Sequence, residues 1–123
     1  MKAALALRDD LLNRAGARLS GGSAKFYTGA QPAAPEDAVG GTLVVTCAIS
    51  SYSESAGYLS IVLASGTVAN TGTPTFARFF QSDGTTVEFD ATVGSDINLS
   101  KDDWTAAETF TGFTYQVNLP VGT

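Results

Sequence analysis

The sequence predicts a mainly β fold, a β-sandwich or jelly-roll-like domain of about seven or eight strands with an N-terminal amphipathic α-helix. Three observations predict it. Short runs of period-2 alternation recur along the chain, turn-forming residues separate them at intervals of roughly 8 to 12 residues, and only the N-terminal stretch carries a 3.6-residue period. At 123 residues the chain is sized for one domain, with residues 1–22 as helix and cap and 23–123 as the β domain.

The helix is expected over Lys2 to Leu19. Leu5, Leu12, Ala15 and Leu19 line up on a helical wheel, Leu7 and Leu11 widen the stripe, and Asp9, Asp10 and Asn13 take the opposite side with Lys2. Ser20-Gly21-Gly22 should end it, because glycine suits the left-handed position after a helix. So wide an apolar stripe must be covered, either by the protein's own sheet or by a neighbouring subunit.

Ala24 to Thr28 is a short strand, and Gly29 to Asp37 is a loop held extended by Pro32 and Pro35. Leu43, Val45, Cys47 and Ile49 alternate with Val44, Thr46 and Ala48, so both faces of this strand are apolar and it should be central. Ser50 to Gly57 reads as a polar loop, Tyr58 to Ala64 as a strand, and Ser65 to Thr73 as a run of turns.

The clearest pattern lies between Thr73 and Leu99. Phe76 to Phe80 and Thr86 to Val93 flank Ser82-Asp83-Gly84, a combination that reads as a β-hairpin. Val87, Phe89, Ala91 and Val93 should face the core, with Phe113, Tyr115 and Val117 of the last strand; Glu88, Asp90 and Thr92 should face water. The first arm is two-sided, with Phe76, Arg78 and Phe80 on one face and Ala77 and Phe79 on the other. Asp96 to Glu108 is a turn region with Ile97 and Leu99 as plugs, and Phe113 to Leu119 alternates cleanly until Pro120 stops it.

The composition excludes several function classes. A net charge of −5, with seven basic residues of which three fall in the first fourteen positions, does not supply the clustered cations that a nucleic-acid groove needs. Nucleic acid is therefore not an expected partner. The early apolar stretch is broken by Arg8, Asp9 and Asp10, too soon for a secretory signal, and nothing approaches the ~20 apolar residues of a membrane span. Cys47, the single cysteine, sits in an apolar run and reads as a small core residue.

Histidine is absent, which removes Ser-His-acid and Cys-His catalysis. A carboxylate mechanism would have to draw on Asp83, Asp90, Asp96, Asp102 and Asp103, whose settings read as a turn, a strand face and loops. Asp96, Asn98, Asp102 and Asp103 do not follow the spacing of a calcium loop. Neither an enzyme nor a cofactor or metal site is expected. Trp104 suits either a plug over one end of the sandwich or an exposed anchor at an interface or sugar site, and Tyr52 and Tyr58 could join a binding surface or simply bond to backbone.

Read together, a helix ending in Gly-Gly, the segment AKFYTGAQPAAPEDAVGGTL, the block FQSDGTTVEFDATVGSDINLS and a short closing strand resemble a family of small tailed-bacteriophage and prophage proteins encoded among head and tail morphogenesis genes. The likeness spans nearly the whole chain and departs at Lys101-Asp-Asp-Trp104, where such chains more often have a small-residue turn. It implies a virion structural protein, made in the bacterial host cytoplasm and built into the particle. The first role implied is capsid decoration or minor capsid (cement) protein, stabilising the head lattice through repeated contacts with the major capsid protein or other virion proteins. A neck or tail component is the alternative, and a glycan-binding module of the virion surface that meets a host-surface glycan is a second. A homo-oligomer is expected, with Leu5, Leu7, Leu11, Leu12, Pro32, Pro35 and Trp104 at the partner interface.

Overall fold

The computed structural model describes residues 5–55, 58–99 and 101–118, and side chains within them other than those of 5–9, 55 and 118. The protein is mainly β, with one N-terminal helix, a curled six-stranded sheet and a second small sheet. Its elements are α1 (Leu5–Leu19), β1 (Ser23–Tyr27), β2 (Leu43–Ser55), β3 (Tyr58–Leu63), β4 (Gly66–Thr67), β5 (Phe76–Phe80), β6 (Val87–Thr92), β7 (Thr109–Phe110) and β8 (Thr114–Asn118). The large sheet runs β6-β5-β1-β2-β3-β8 with every described pairing antiparallel, and β4 pairs with β7.

The thirteen-residue β2 is the hinge of this architecture. Its first half pairs with β1 and its second half with β3, and a register shift between Ile49 and Ser51 turns the strand between the two. The expected loop at Ser50 to Gly57 is therefore strand as far as Ser55. Ser51 and Ser53 are exposed while Tyr52 is half-buried, so the polar residues mark a solvent-facing side of a strand.

The curl brings the sheet's two edges together over one core. Tyr115 on β8 stacks on Phe79 of β5 with ring centroids 5.6 Å apart and lies 6.3 Å from Phe89 of β6. Phe89 is packed on Phe79 at 4.4 Å but remains half-buried, as do Phe113, Tyr115 and Val117. Phe26, Cys47, Ile61 and Ala91 complete the inner face. Phe110 and Trp104 close one end, their rings 4.6 Å apart, with Phe26 4.9 Å beyond.

The helix packs on its own sheet, against β2 and β3, with Leu12 and Leu19 buried in the common core. Contact is close because Gly16 lies flat on the Tyr52 ring: a Cβ there would sit 2.2 Å from Tyr52 Cδ2. Gly21, at φ +76°, ends the helix as expected, and the Gly22 N–H donates to Leu19 O at 2.8 Å.

The hairpin forms where it was read, with Asp83 Oδ1 accepting from the Thr85 and Thr86 N–H groups at 2.9 and 2.8 Å, but a register shift sets Val87 opposite Phe80 instead of on the core face with Phe89, and Val87 is only half-buried. The expectation that Glu88 and Asp90 face water is overturned. Asp90 does not face water: it is the register partner of Arg78, and the pair is bonded at 2.8 and 3.0 Å with side chains 3% and 5% exposed. Glu88 is also mostly covered, bonded by Arg18 from the helix and by Gln81. The reason is a loop. Residues 29–40 fold back over the outer face of β5, where Arg78 Nη1 donates to Asp37 O at 2.6 Å, Thr75 Oγ1 to Gly29 O at 2.6 Å, and Thr92 Oγ1 to Gln31 Oε1 at 2.6 Å. Phe76, stacked on Tyr27, is thereby fully buried, and Phe80 is covered by Lys25, whose ammonium lies 4.8 Å from the ring centre.

Candidate functional site: an interaction surface

The residues expected at a partner interface fall in different places and do not form one surface. Leu12 is buried in the protein's own core and has no free surface to lend, because the helix stripe is already spent on β2 and β3. Leu11, one position along the helix, is 38% exposed and points outward; the side chains of Leu5 and Leu7 lie outside what the structure describes. Pro32 and Pro35 are half-buried in the loop that seals the outer face of β5, so that loop is tied down by its own sheet.

Trp104 is buried, 7% exposed. Its Nε1 donates to Lys101 O at 3.1 Å, and the Lys101 ammonium lies 4.8 Å from its ring centre. The plug reading holds for this side chain, and its ring face is given to Phe110 instead of to a sugar or a neighbour. Tyr52 is likewise engaged, against Gly16, while Tyr58 is 43% exposed.

Five of the acids are employed in structure. Hydrogen bonds from the Thr86 side chain, the Thr86 backbone and the Thr85 backbone hold the Asp83 carboxyl down at about 2. Asp90 pairs with Arg78, whose guanidinium is pushed above its ordinary value first by the hydrogen bond to Asp90. Asp96 accepts the Thr92 N–H at 2.8 Å, and Asp103 accepts from Thr73 Oγ1 at 2.5 Å. Glu108 accepts the Thr105 N–H at 2.6 Å and an ion pair from Lys101, and its carboxyl is lowered chiefly by that lysine. Among the described residues no three His, Cys, Asp or Glu side chains group as a metal site would require. Burial pushes the Cys47 thiol up to about 11, which leaves it in the thiol form at neutral pH.

Among the described residues the large sheet has two edges, β6 and β8, and a cleft lies beside β8. β8 closes the sheet order next to β3 and carries no further described strand on its other side. A cleft of about 380 Å³ runs along it, lined by Phe113, Thr114, Tyr115 and Gln116 on the strand and by Asp96, Ile97 and Asn98 on the turn that follows β6. A smaller hollow of about 170 Å³ continues from Asn98 and Phe113 toward Trp104 and Phe110. Aromatic floor and polar walls beside a strand edge suit an extended chain better than a reacting group. Sequence reading missed this feature, because an edge is defined by the order of strands and no local pattern announces it.

Compared with known proteins, the chain matches no family model, no curated protein and no solved structure.

Proposed function

We propose that this chain is a bacteriophage virion structural protein, a capsid decoration or minor capsid protein that works by repeated contacts with its neighbours. The observation that carries this reading is how the molecule spends its polar groups. Asp83, Asp90, Asp96, Asp103 and Glu108 all bind their own scaffold, while the exposed edge of β8 and the outward Leu11 are surfaces for contact. The resemblance in the sequence supports the same reading. Such a protein needs only modest contacts per copy, because repetition over a lattice multiplies them.

Counting copies in purified particles against the major capsid protein tests the proposal. Copies on the order of hundreds mean decoration, and roughly six to twelve mean a neck or tail ring. A particle that lacks the protein altogether sinks the reading.

A further inference from the structure

We infer that the cleft between β8 and the turn after β6 binds a short neutral saccharide, a function that goes beyond the virion reading and does not depend on it. The chemistry of the lining selects this class of ligand. Asp96 is the only charged residue among those described along the cleft, and the chain carries a net charge of −5, so an acidic ligand meets repulsion there and a metal ion finds a single carboxylate. Asn98, Thr114 and Gln116 make the walls too polar for a purely apolar ligand. A volume of about 380 Å³ lies at the small end of the roughly 300 to 1,000 Å³ of ligand pockets, which suits a small molecule and is too little for a folded partner.

The walls present mixed donors and acceptors beside aromatic rings. Asn98 and Thr114 are exposed, and among the described residues no hydrogen bond engages the Asn98 amide or the hydroxyls of Thr114 and Tyr115. Burial first, and then the charge of Asp96, push the Tyr115 phenol up, so it keeps its proton and can donate. Asp96 accepts the Thr92 N–H through Oδ2, which orients the carboxylate and leaves Oδ1 as an acceptor. The backbone adds to the set. Leu63 N–H donates to Phe113 O at 2.8 Å, and main-chain groups alternate along an antiparallel strand, so those of Thr114 and Gln116 point away from β3 toward the cleft. Adjacent sugar hydroxyls, each both donor and acceptor, match such a mixed set, and the C–H faces of a sugar ring match the half-buried rings of Phe113 and Tyr115.

Both walls are fixed before a ligand arrives. Ile97 is 2% exposed and pins the turn, with its N–H donating to Thr92 O at 3.0 Å and its carbonyl accepting from Gly94 N–H at 2.7 Å. Opposite, Tyr115 is held by its stacking on Phe79. Pre-formed walls spare the ordering cost that a small polar ligand offsets poorly. The hollow of about 170 Å³ shares Asn98 and Phe113 with the cleft and extends it toward Trp104, which gives a second sugar ring a place to follow the first.

Backbone amide NMR of the isotope-labelled full chain, titrated with maltotriose, cellotriose, mannotriose, galactotriose and chitotriose, tests this. At least one should bind saturably with a Kd of about 1 mM or tighter. The shifts should centre on residues 96–98 and 113–116. Asn98→Ala and Gln116→Ala, both at exposed positions, should each weaken that binding about tenfold while the rest of the spectrum is kept. Should one variant misfold, the other decides. The inference is overturned if none of the five sugars saturates by concentrations on the order of tens of millimolar, if the shifts centre elsewhere, or if both variants bind as the wild type does. Each of these failures leaves particle copy number, and with it the virion reading, standing; a sugar-binding chain that is missing from particles sinks only the virion reading.

Discussion

The two faces of β5 are both buried, and by different means. On the inner side Ala77, Phe79 and Ala91 are sealed by apolar neighbours, with Phe79 between the rings of Phe89 and Tyr115. On the outer side Phe76 and Phe80 flank Arg78, and the cover is Tyr27, Lys25 and a loop fastened by hydrogen bonds. Burial of apolar area is non-directional, so the inner face should accept a different side chain of similar volume. A buried ion pair depends on both members being present, so the outer face should resist losing one of them. One strand thus carries two kinds of tolerance, alternating residue by residue.

The largest effects test that contrast directly. Phe79→Ala should cost about 3 to 5 kcal/mol in chemical denaturation, because the cavity opens among stacked rings, while Phe79→Leu should cost distinctly less. Asp90→Asn should cost about 3 kcal/mol or more by leaving the Arg78 charge uncompensated, and replacing Arg78 by Met and Asp90 by Leu together should recover most of it. If Asp90→Asn behaves like an exposed substitution, the outer face is open to water and the comparison fails.

Smaller effects sharpen the boundaries. Gly16→Ala should destabilise by roughly 1 to 3 kcal/mol, since the new methyl must displace the Tyr52 ring; a neutral outcome would mean that the helix shifts freely on the sheet. Glu88→Ala should cost less than about 1 kcal/mol, because its partner Arg18 is largely in solvent. Least of all, Asp83 should give the turn an acid dependence. Its folded pKa of about 2 lies below the unfolded value near 4, so its contribution is present above the unfolded value and is lost as pH falls through the folded one. Stability followed over that window should show the loss in the wild type and not in Asp83→Asn.

Much of this was legible in the sequence. The alternation of Phe76 to Phe80 and Val87 to Val93 around Asp83-Gly84 gave the hairpin, because side-chain period and turn chemistry are local. The two-sided character of β5 was visible too, but not its consequence. Asp90 was expected in water because strand alternation says which face a residue takes and nothing of what lies over that face; the cover comes from residues 29–40, brought there by β1. The second half of β2 was hidden for a related reason. Serines on its wet side outweigh Tyr52, and the bulge after Ile49 breaks the phase that a periodic reading relies on. The candidate edge depends on the order β6-β5-β1-β2-β3-β8, in which no strand after β3 pairs with its nearest predecessor except β6 with β5.

The place of β1 between β2 and β5 has a consequence for how the chain is made. Tyr27 pairs with Phe76 and Ser23 with Phe80, so one side of β1 waits for partners about fifty residues downstream. At roughly 5 to 20 residues per second, the ribosome delivers those partners several seconds after β1 has emerged. During that interval the nascent chain presents Phe26 and a bare strand flank to everything around it, a window in which a chaperone or a neighbouring nascent chain can reach it first. Synthesis speed through residues 43–80 is therefore a lever on yield, and slowing translation there should raise the fraction lost to aggregation without altering the stability of the finished protein.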